Sequence, residues 1–331
     1  MNQTSLRRRS LAAGVALVLS GMAALPCAAL AADAYPSHTI RLVVPYPPGG
    51  GNDALGRLVA QRLATVLGQP VVVENKPGAD GNLGTATVAR AKPDGYTLIL
   101  GFVANMAMTP NMGPVGYDPL KDFAPVGLVA QGYQVLVVNP EVPAKSVAEL
   151  VALAKAEPNR LNYASGGNGS PLHLAGELFK MTTRISMQHI PYKGSSPAAT
   201  AVIGGEAQVI FGGVVSTLPF VRSGRLRALA VTSPKRLEAA PDIPTLDELG
   251  YKGVDTAAWY GLFAPAGTPK PIVQMLTNAI TQLTADPAYQ AQLARQGQEP
   301  ASSTAEELAD YNRVELDKWG KVIKAANIRA D

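Results

Sequence analysis

The stretch Ile40-Arg41-Leu42-Val43-Val44-Pro45-Tyr46-Pro47-Pro48-Gly49-Gly50-Gly51-Asn52-Asp53-Ala54 decides the fold. Residues 40–45 form a short apolar run, the pattern of a strand buried on both faces. A proline- and glycine-rich loop follows. Leu55, Leu58, Val59, Leu63, Val66 and Leu67 then recur at helical spacing, and Gly68 suits the helix C-terminus. Residues 71–74 and 97–102 read as further strands, with a turn at Pro93-Asp94-Gly95 between them. Strand, helix, strand in this order needs a right-handed crossover and makes the strands parallel. Ligands on such sheets bind beyond the carboxyl ends of the strands, which points to the loops after Pro45 and Leu100.

The same plan recurs downstream. Residues 135–139, 161–165, 185–190, 207–211 and 226–231 read as strands. Ser146 with Glu149, and Thr304 with Glu307, have capping-box spacing and open helices; they are caps and not acid/base pairs. Residues 272–283 form a further helix. A second glycine loop, Ser165-Gly166-Gly167-Asn168-Gly169-Ser170, again follows a strand and precedes a helical stretch.

Composition narrows the function classes. The chain has 331 residues, 47% hydrophobic and 16% charged, enough for one large or two medium lobes. Its formal charge is +4, but Arg7, Arg8 and Arg9 stand at the very front and no acid precedes Asp33. Without that front, 26 basic residues face 25 acidic ones, which is no electrostatic footprint for nucleic acid or an anionic membrane. The three arginines, the apolar residues 11–25 and Ala29-Leu30-Ala31 have the layout of a signal peptide cleaved after residue 31. Arg8-Arg9 leaves both the general secretory and the twin-arginine route open. The single cysteine, Cys27, lies inside this leader behind Pro26, where lipidation asks for a small residue. A mature chain without cysteine has no disulfide, thiol nucleophile or thiolate metal site. The three histidines, His38, His173 and His189, include no pair with metal-ligand spacing, so no metal and no other cofactor is expected.

The glycine loops admit two chemistries. Residues 49–54 fit the dinucleotide pattern G-x-G-x-x-A, and Glu74 stands at the spacing of a ribose-binding acid. An exported NAD-dependent oxidoreductase is the alternative this suggests. The simpler reading is that glycines let backbone approach a ligand, while the N–H groups opening a helix attract a carboxylate. Asp53 then caps the helix. Neither loop supplies a nucleophile with its base; Ser170 is not in G-x-S-x-G. His173 either touches ligand or hydrogen-bonds within its own lobe, and Trp259 and Tyr260 read as core. A purely structural exported protein would need no such pair of loops.

At this point the motifs become specific. Val43-Val44-Pro45-Tyr46-Pro47-Pro48-Gly49-Gly50 resembles the first strand and loop of the Bug-type receptors, the solute-binding proteins of tripartite tricarboxylate transporters. Further matches follow in order: Gly68-Gln69-Pro70-Val71-Val72-Val73-Glu74-Asn75-Lys76-Pro77-Gly78, Lys92-Pro93-Asp94-Gly95-Tyr96-Thr97-Leu98, His189-Ile190-Pro191-Tyr192-Lys193-Gly194 and Ala264-Pro265-Ala266-Gly267-Thr268-Pro269. They cover essentially all of the mature chain. The resemblance implies a two-lobed, type II-like periplasmic binding protein fold, two α/β domains joined by crossing strands near residues 129–135 and 226–231, with ligand in the interdomain cleft. On this plan residues 32–133 and 231–331 form lobe one and residues 134–230 form lobe two. The resemblance further implies a monomeric periplasmic receptor and no enzyme, which presents a small organic anion such as a dicarboxylate or aromatic acid to a membrane permease. The carboxylate grip would come from Tyr46, Pro48, Gly49, Gly50 and Asp53 of lobe one and Ser165, Gly167, Gly169, Ser170 and His173 of lobe two. Phe102, Val103 and Asn105, with Gly212 and Gly213, depart from the usual family residues and would face the far end of the ligand. Their character predicts a ligand body bulkier or less polar than an acidic amino acid.

Overall fold

The computed structural model describes residues 35–329. The expected leader, residues 1–31, lies outside the described residues. Strand β1 (Ile40–Val44) is central and parallel to β2 (Val71–Asn75) and β3 (Thr97–Phe102), with Arg41 opposite Val72 on one side and Thr97 on the other. Helix α1 (Gly51–Leu67) makes the first crossover and buries Leu55, Leu58, Val59 and Leu63 against this sheet. Gly68 closes α1 in the left-handed conformation, φ 67°. Helix α2 (Asn82–Ala89) carries the chain from β2 to β3.

Strand β4 (Phe123–Val138) is the spine of the molecule. Sixteen residues at about 3.3 Å each make it roughly 50 Å long. Its first half is antiparallel to β9 (Ala257–Pro265), which in turn is antiparallel to β3. Its second half is antiparallel to β7 (Val209–Gly213) and β8 (Arg227–Val231). Beyond β7 lie β5 (Asn162–Ser165) and β6 (Gln188–Pro191), all three parallel. The sheet order is β2-β1-β3-β9-β4-β7-β5-β6, with β8 and the short β10 (Glu299–Pro300) also on β4. Helices α3 (Val147–Ala156), α4 (Pro171–Thr183), α5 (Ser195–Ile203) and α6 (Val214–Arg222) cover the second group of strands. Helices α7 (Lys270–Ala285), α8 (Pro287–Arg295) and α9 (Ala305–Ala325) complete the first.

The chain therefore passes between the two strand groups along β4 and returns through residues 232–256. The two passages meet at a buried polar knot. The backbone carbonyl of Gln134 accepts Thr232 N–H at 3.0 Å. Its side-chain carbonyl accepts the hydroxyls of Thr232 at 3.0 Å and Thr256 at 2.6 Å. All three residues are buried.

Sequence periodicity missed β9 and the first half of β4. Pro125, Gly127, Gly132 and several alanines interrupt the pattern a strand should show. Register shifts between Pro125 and Gly127 and between Leu128 and Ala130 let the pairing continue past the proline. Alternation within β9 sends Trp259 and Tyr260 to opposite faces. Trp259 donates its indole N–H to Glu315 of α9 at 3.2 Å, and Trp319 donates to the same oxygen at 2.9 Å. Glu315, buried and paired with Lys318, thereby ties the last helix to the spine of the sheet. Among the described residues no helix is long and apolar enough to cross a membrane.

Candidate functional site

The loop after β1 is fixed by one carboxylate. Gly49 takes φ +84°, open only to glycine at low cost. Gly50 is the N-cap of α1 and offers no side chain to the helix start. Asp53, in the first turn, reaches back instead. Its Oδ2 accepts Gly49 N–H at 2.9 Å and Arg57 Nε–H at 3.0 Å; its Oδ1 accepts Asn75 Nδ2–H at 2.9 Å. Asn75 also donates to the carbonyl of Tyr46 at 3.2 Å. Burial pushes the Asp53 carboxyl up, but the hydrogen bonds from Arg57, Gly49 and Asn75 outweigh it and hold the group below its ordinary value. Asp53 thus does not cap the first N–H groups, as the sequence suggests, and three of its four lone-pair sites are filled. It ties the loop to β2 and leaves the opening of α1 to a guest.

The end of β3 supplies an aromatic wall. Phe102 is half-buried and stacks on Tyr260 at 4.7 Å between centroids, while Tyr46 meets its edge at 5.9 Å. Asn105 sits in a π-helical turn, Ala104–Met108, the kind of local widening found at functional sites. Its Oδ1 accepts Phe102 N–H at 2.9 Å and lies 3.5 Å from the Tyr46 hydroxyl; its Nδ2 donates to Thr85 at 2.8 Å. Burial, with Tyr117 and Tyr260 nearby, raises the Tyr46 phenol well above its ordinary value and keeps it a neutral donor.

The second glycine loop is held from below by a cluster of imidazoles. Gly167 N–H donates to Ser165 Oγ at 3.1 Å, and Ser165 Oγ lies 2.6 Å from His189 Nε2. Gly169, φ +69°, donates its N–H to His173 Nδ1 at 3.0 Å. Ser170 is the N-cap of α4; its oxygen accepts His173 N–H at 3.3 Å, which leaves its own proton to donate. The β7 end turns at Gly212 and Gly213. The Gly213 carbonyl accepts the hydroxyls of Ser216 at 2.9 Å and Thr217 at 2.8 Å, and Ser216 meets Ser195 at 2.7 Å.

Strand register brings the two halves face to face. Phe102 pairs with Tyr260, Tyr260 with Ala130, and Gln134 with Gly213. Ala130 and Gln134 are four residues apart on β4, about 13 Å at strand rise. The carboxyl ends of β3 and β7 therefore open toward one space. A methyl added at Gly169 would lie 2.7 Å from Met112 Cε, so the second loop also abuts the segment after β3.

Fourteen of the fifteen residues singled out by sequence fall into two sets. Pro48, Gly49 and Gly50 are exposed, and Tyr46, Phe102, Gly167, Ser170 and Gly213 are half-buried. Asp53, Asn105, Ser165, Gly169, Gly212 and His173 are buried and hold the loops from behind. Val103 does not line the opening: its side chain is wholly enclosed in the hydrophobic core. Tyr260 is buried, as its reading as core expects, and from there it also stacks behind Phe102. His189 and Ser195 also lie in the site region although only the family motif at 189–194 pointed to that stretch.

The acid that the dinucleotide reading needs has other partners. Glu74 is engaged by Arg41 at 3.2 Å and Lys76 at 3.3 Å. Known proteins point elsewhere too. The chain is 36% identical to Protein BugT of Bordetella pertussis over 313 residues, 94% of this chain and 95% of that one. An R. palustris protein solved with adipate superposes with a TM-score of 0.74 at 35% identity, covering 89% of this chain and 99% of that chain. MatC from Rhodopseudomonas palustris, solved with bound malate, superposes with a TM-score of 0.71 at 31% identity, covering 87% and 100%. The description of the tripartite tricarboxylate transporter family receptor (TctC) matches residues 55–328. This chain belongs to that receptor family.

Proposed function

We propose that the chain is an exported receptor that captures a small organic carboxylate between its two strand groups and hands it to a membrane permease without altering it. The observation that carries this is the pairing of two glycine loops, each running from a strand's carboxyl end into a helix N-terminus, across one space. Backbone N–H groups at the start of α1 and the Ser170 hydroxyl are donors suited to a carboxylate. Asp53 has three of its four acceptor sites filled by protein donors. No residue of the proposed grip is a nucleophile paired with a base and open to solvent, and the Ser165 hydroxyl beside His189 is fully buried. Adipate and malate in the two structural relatives set the ligand class. The stacked Phe102 and Tyr260 favour an acid with an apolar or aromatic body at the far end. Closure turns on the two passages joined at Gln134, and the closed form is what the permease reads. The basic and apolar front of the sequence supports export, and membership of the receptor family supports a periplasmic site of action.

The test is thermal unfolding of residues 32–331 with mono-, di- and aromatic carboxylates, acidic amino acids and NAD. A true ligand at 100 times its Kd adds about 2.7 kcal/mol of stability. A shift with a carboxylate having an apolar body is the expected result. A shift confined to NAD would overturn the reading, and a far end lined by charged groups in a liganded crystal structure would overturn the apolar preference.

A further inference from the structure

Beneath the second glycine loop lies a polar cluster that carboxylate capture does not itself require. The rings of His173 and His189 stack face to face, 3.7 Å between centroids and 6° from parallel. Each ring holds a different part of the loop. His173 Nδ1 accepts the Gly169 N–H, and His189 Nε2 meets the Ser165 hydroxyl that in turn accepts the Gly167 N–H. Both glycine amides are thereby engaged within the loop, while the Ser170 hydroxyl keeps its proton to donate.

We propose that His173 and His189 are positioning residues for ligand capture: a neutral, stacked imidazole pair that fixes the 165–170 loop in its binding shape. The proposal rests on the receptor reading for its consequence, though not for its geometry. The His173 side has a definite proton arrangement. Because Nδ1 accepts a backbone N–H, the proton of the neutral ring sits on Nε2. A second proton at Nδ1 would set two donors against each other and release Gly169. A charge on His189 would lie against the other ring. The charged and titratable groups facing the pair are Glu177 and Lys180 of α4 and Tyr163 of β5. Glu177 Oε1 is 3.9 Å from His173 Nε2, too far for a hydrogen bond. It is already occupied by the Tyr163 hydroxyl at 2.5 Å and Lys180 at 2.7 Å. The carboxylate is therefore committed elsewhere; its charge still favours protonation of His189, but burial outweighs it. Burial, the partner ring and Lys180 pull His173 down to about 3; burial is also the main cause that pulls His189 down to about 4.

Two measurements test this, the first without any ligand. Nitrogen-15 NMR of the ligand-free mature chain should show His173 as the Nε2–H tautomer and both rings neutral down to pH 5. Titration of either ring near 6.5 would overturn the proposal. The second compares H173N, which keeps an acceptor near Nδ1, with H173F, which keeps a ring to stack but no acceptor. H173F should exchange its Gly169 amide at least tenfold faster and bind adipate, malate or benzoate, whichever the wild type takes, at least tenfold more weakly. H173N should stay within about threefold of wild type in both. Equal behaviour of H173F and wild type in Gly169 exchange would refute the clamp. If H173F fails to fold, the tautomer and titration of the wild type still decide. Neutral rings with the predicted tautomer, in a wild type that binds no carboxylate, would keep the clamp and sink the receptor reading instead.

Discussion

Asp53→Ala removes the group that ties the Gly49 end of the first glycine loop to Asn75 and Arg57. Three hydrogen bonds are lost. The one from Arg57 matters least, because that side chain is 57% exposed and its ion pair is worth at most about 1 kcal/mol. Gly49 is exposed, so its N–H finds water again. Asn75 is half-buried and loses a bond to a charged acceptor, worth about 1.5–3 kcal/mol. Summed with these discounts, unfolding in urea at pH 7 should show a loss of about 2–3 kcal/mol. Asp53→Asn should sit nearer the alanine variant than the wild type, since an amide NH2 at Oδ2 would face the Gly49 and Arg57 donors. The pH dependence follows from the depressed carboxyl. The native group ionises below its ordinary value, so its contribution is complete above that value and disappears as pH falls through the native one. The gap between wild type and D53A should thus persist at pH 5 and close only in stronger acid. Carboxylate affinity, read by calorimetry, should fall at least tenfold because the α1 opening is no longer held. A D53A protein with wild-type stability and wild-type affinity would refute the assignment of Asp53 as the loop's brace.

Other outcomes follow from equally local causes. Gly176→Ala should cost about 1–3 kcal/mol in urea unfolding, because a methyl there would lie 2.4 Å from the buried Tyr163 ring. Phe102→Ala should weaken an aromatic acid at least tenfold in calorimetric titration and leave malate within about threefold. His173 is neutral in the native state with a value of about 3, so the unfolded chain takes up a proton first as pH falls below 6.5. Stability should then drop by about 1.4 kcal/mol per pH unit from this residue alone, a slope that H173N lacks when unfolding is compared at pH 6.5 and 5.

Much of the site was legible because loops that bind through backbone need glycine and proline, and those residues punctuate a sequence. The strands before both loops, the αL cap at Gly68 and the capping box at Thr304 were readable from local chemistry; Thr304 does accept Glu307 N–H at 3.1 Å, and Glu307 accepts Thr304 N–H at 2.8 Å. The spine was not legible. Half of β4 is built from small residues and breakers whose strand conformation comes from β9, far along the chain, and not from their own preference. The role of Asp53 was hidden, and for His173 the sequence offered a hydrogen bond within its lobe without naming the partner. Helix-cap spacing is local, but the Asn75 amide and the His189 ring that decide these roles arrive from other strands. Val103 shows the converse: its place in sequence beside Phe102 suggested the ligand, and the π-helical turn buries it instead.

The central claim is stoichiometric capture without chemistry. Calorimetric titration of the ligand-stripped mature chain with the carboxylate panel, followed by proton NMR of the same samples, tests it directly. The account predicts one site per chain for at least one acid, with that acid recovered unchanged. Heat only with NAD, conversion of the bound acid, or no binding by any carboxylate would contradict it.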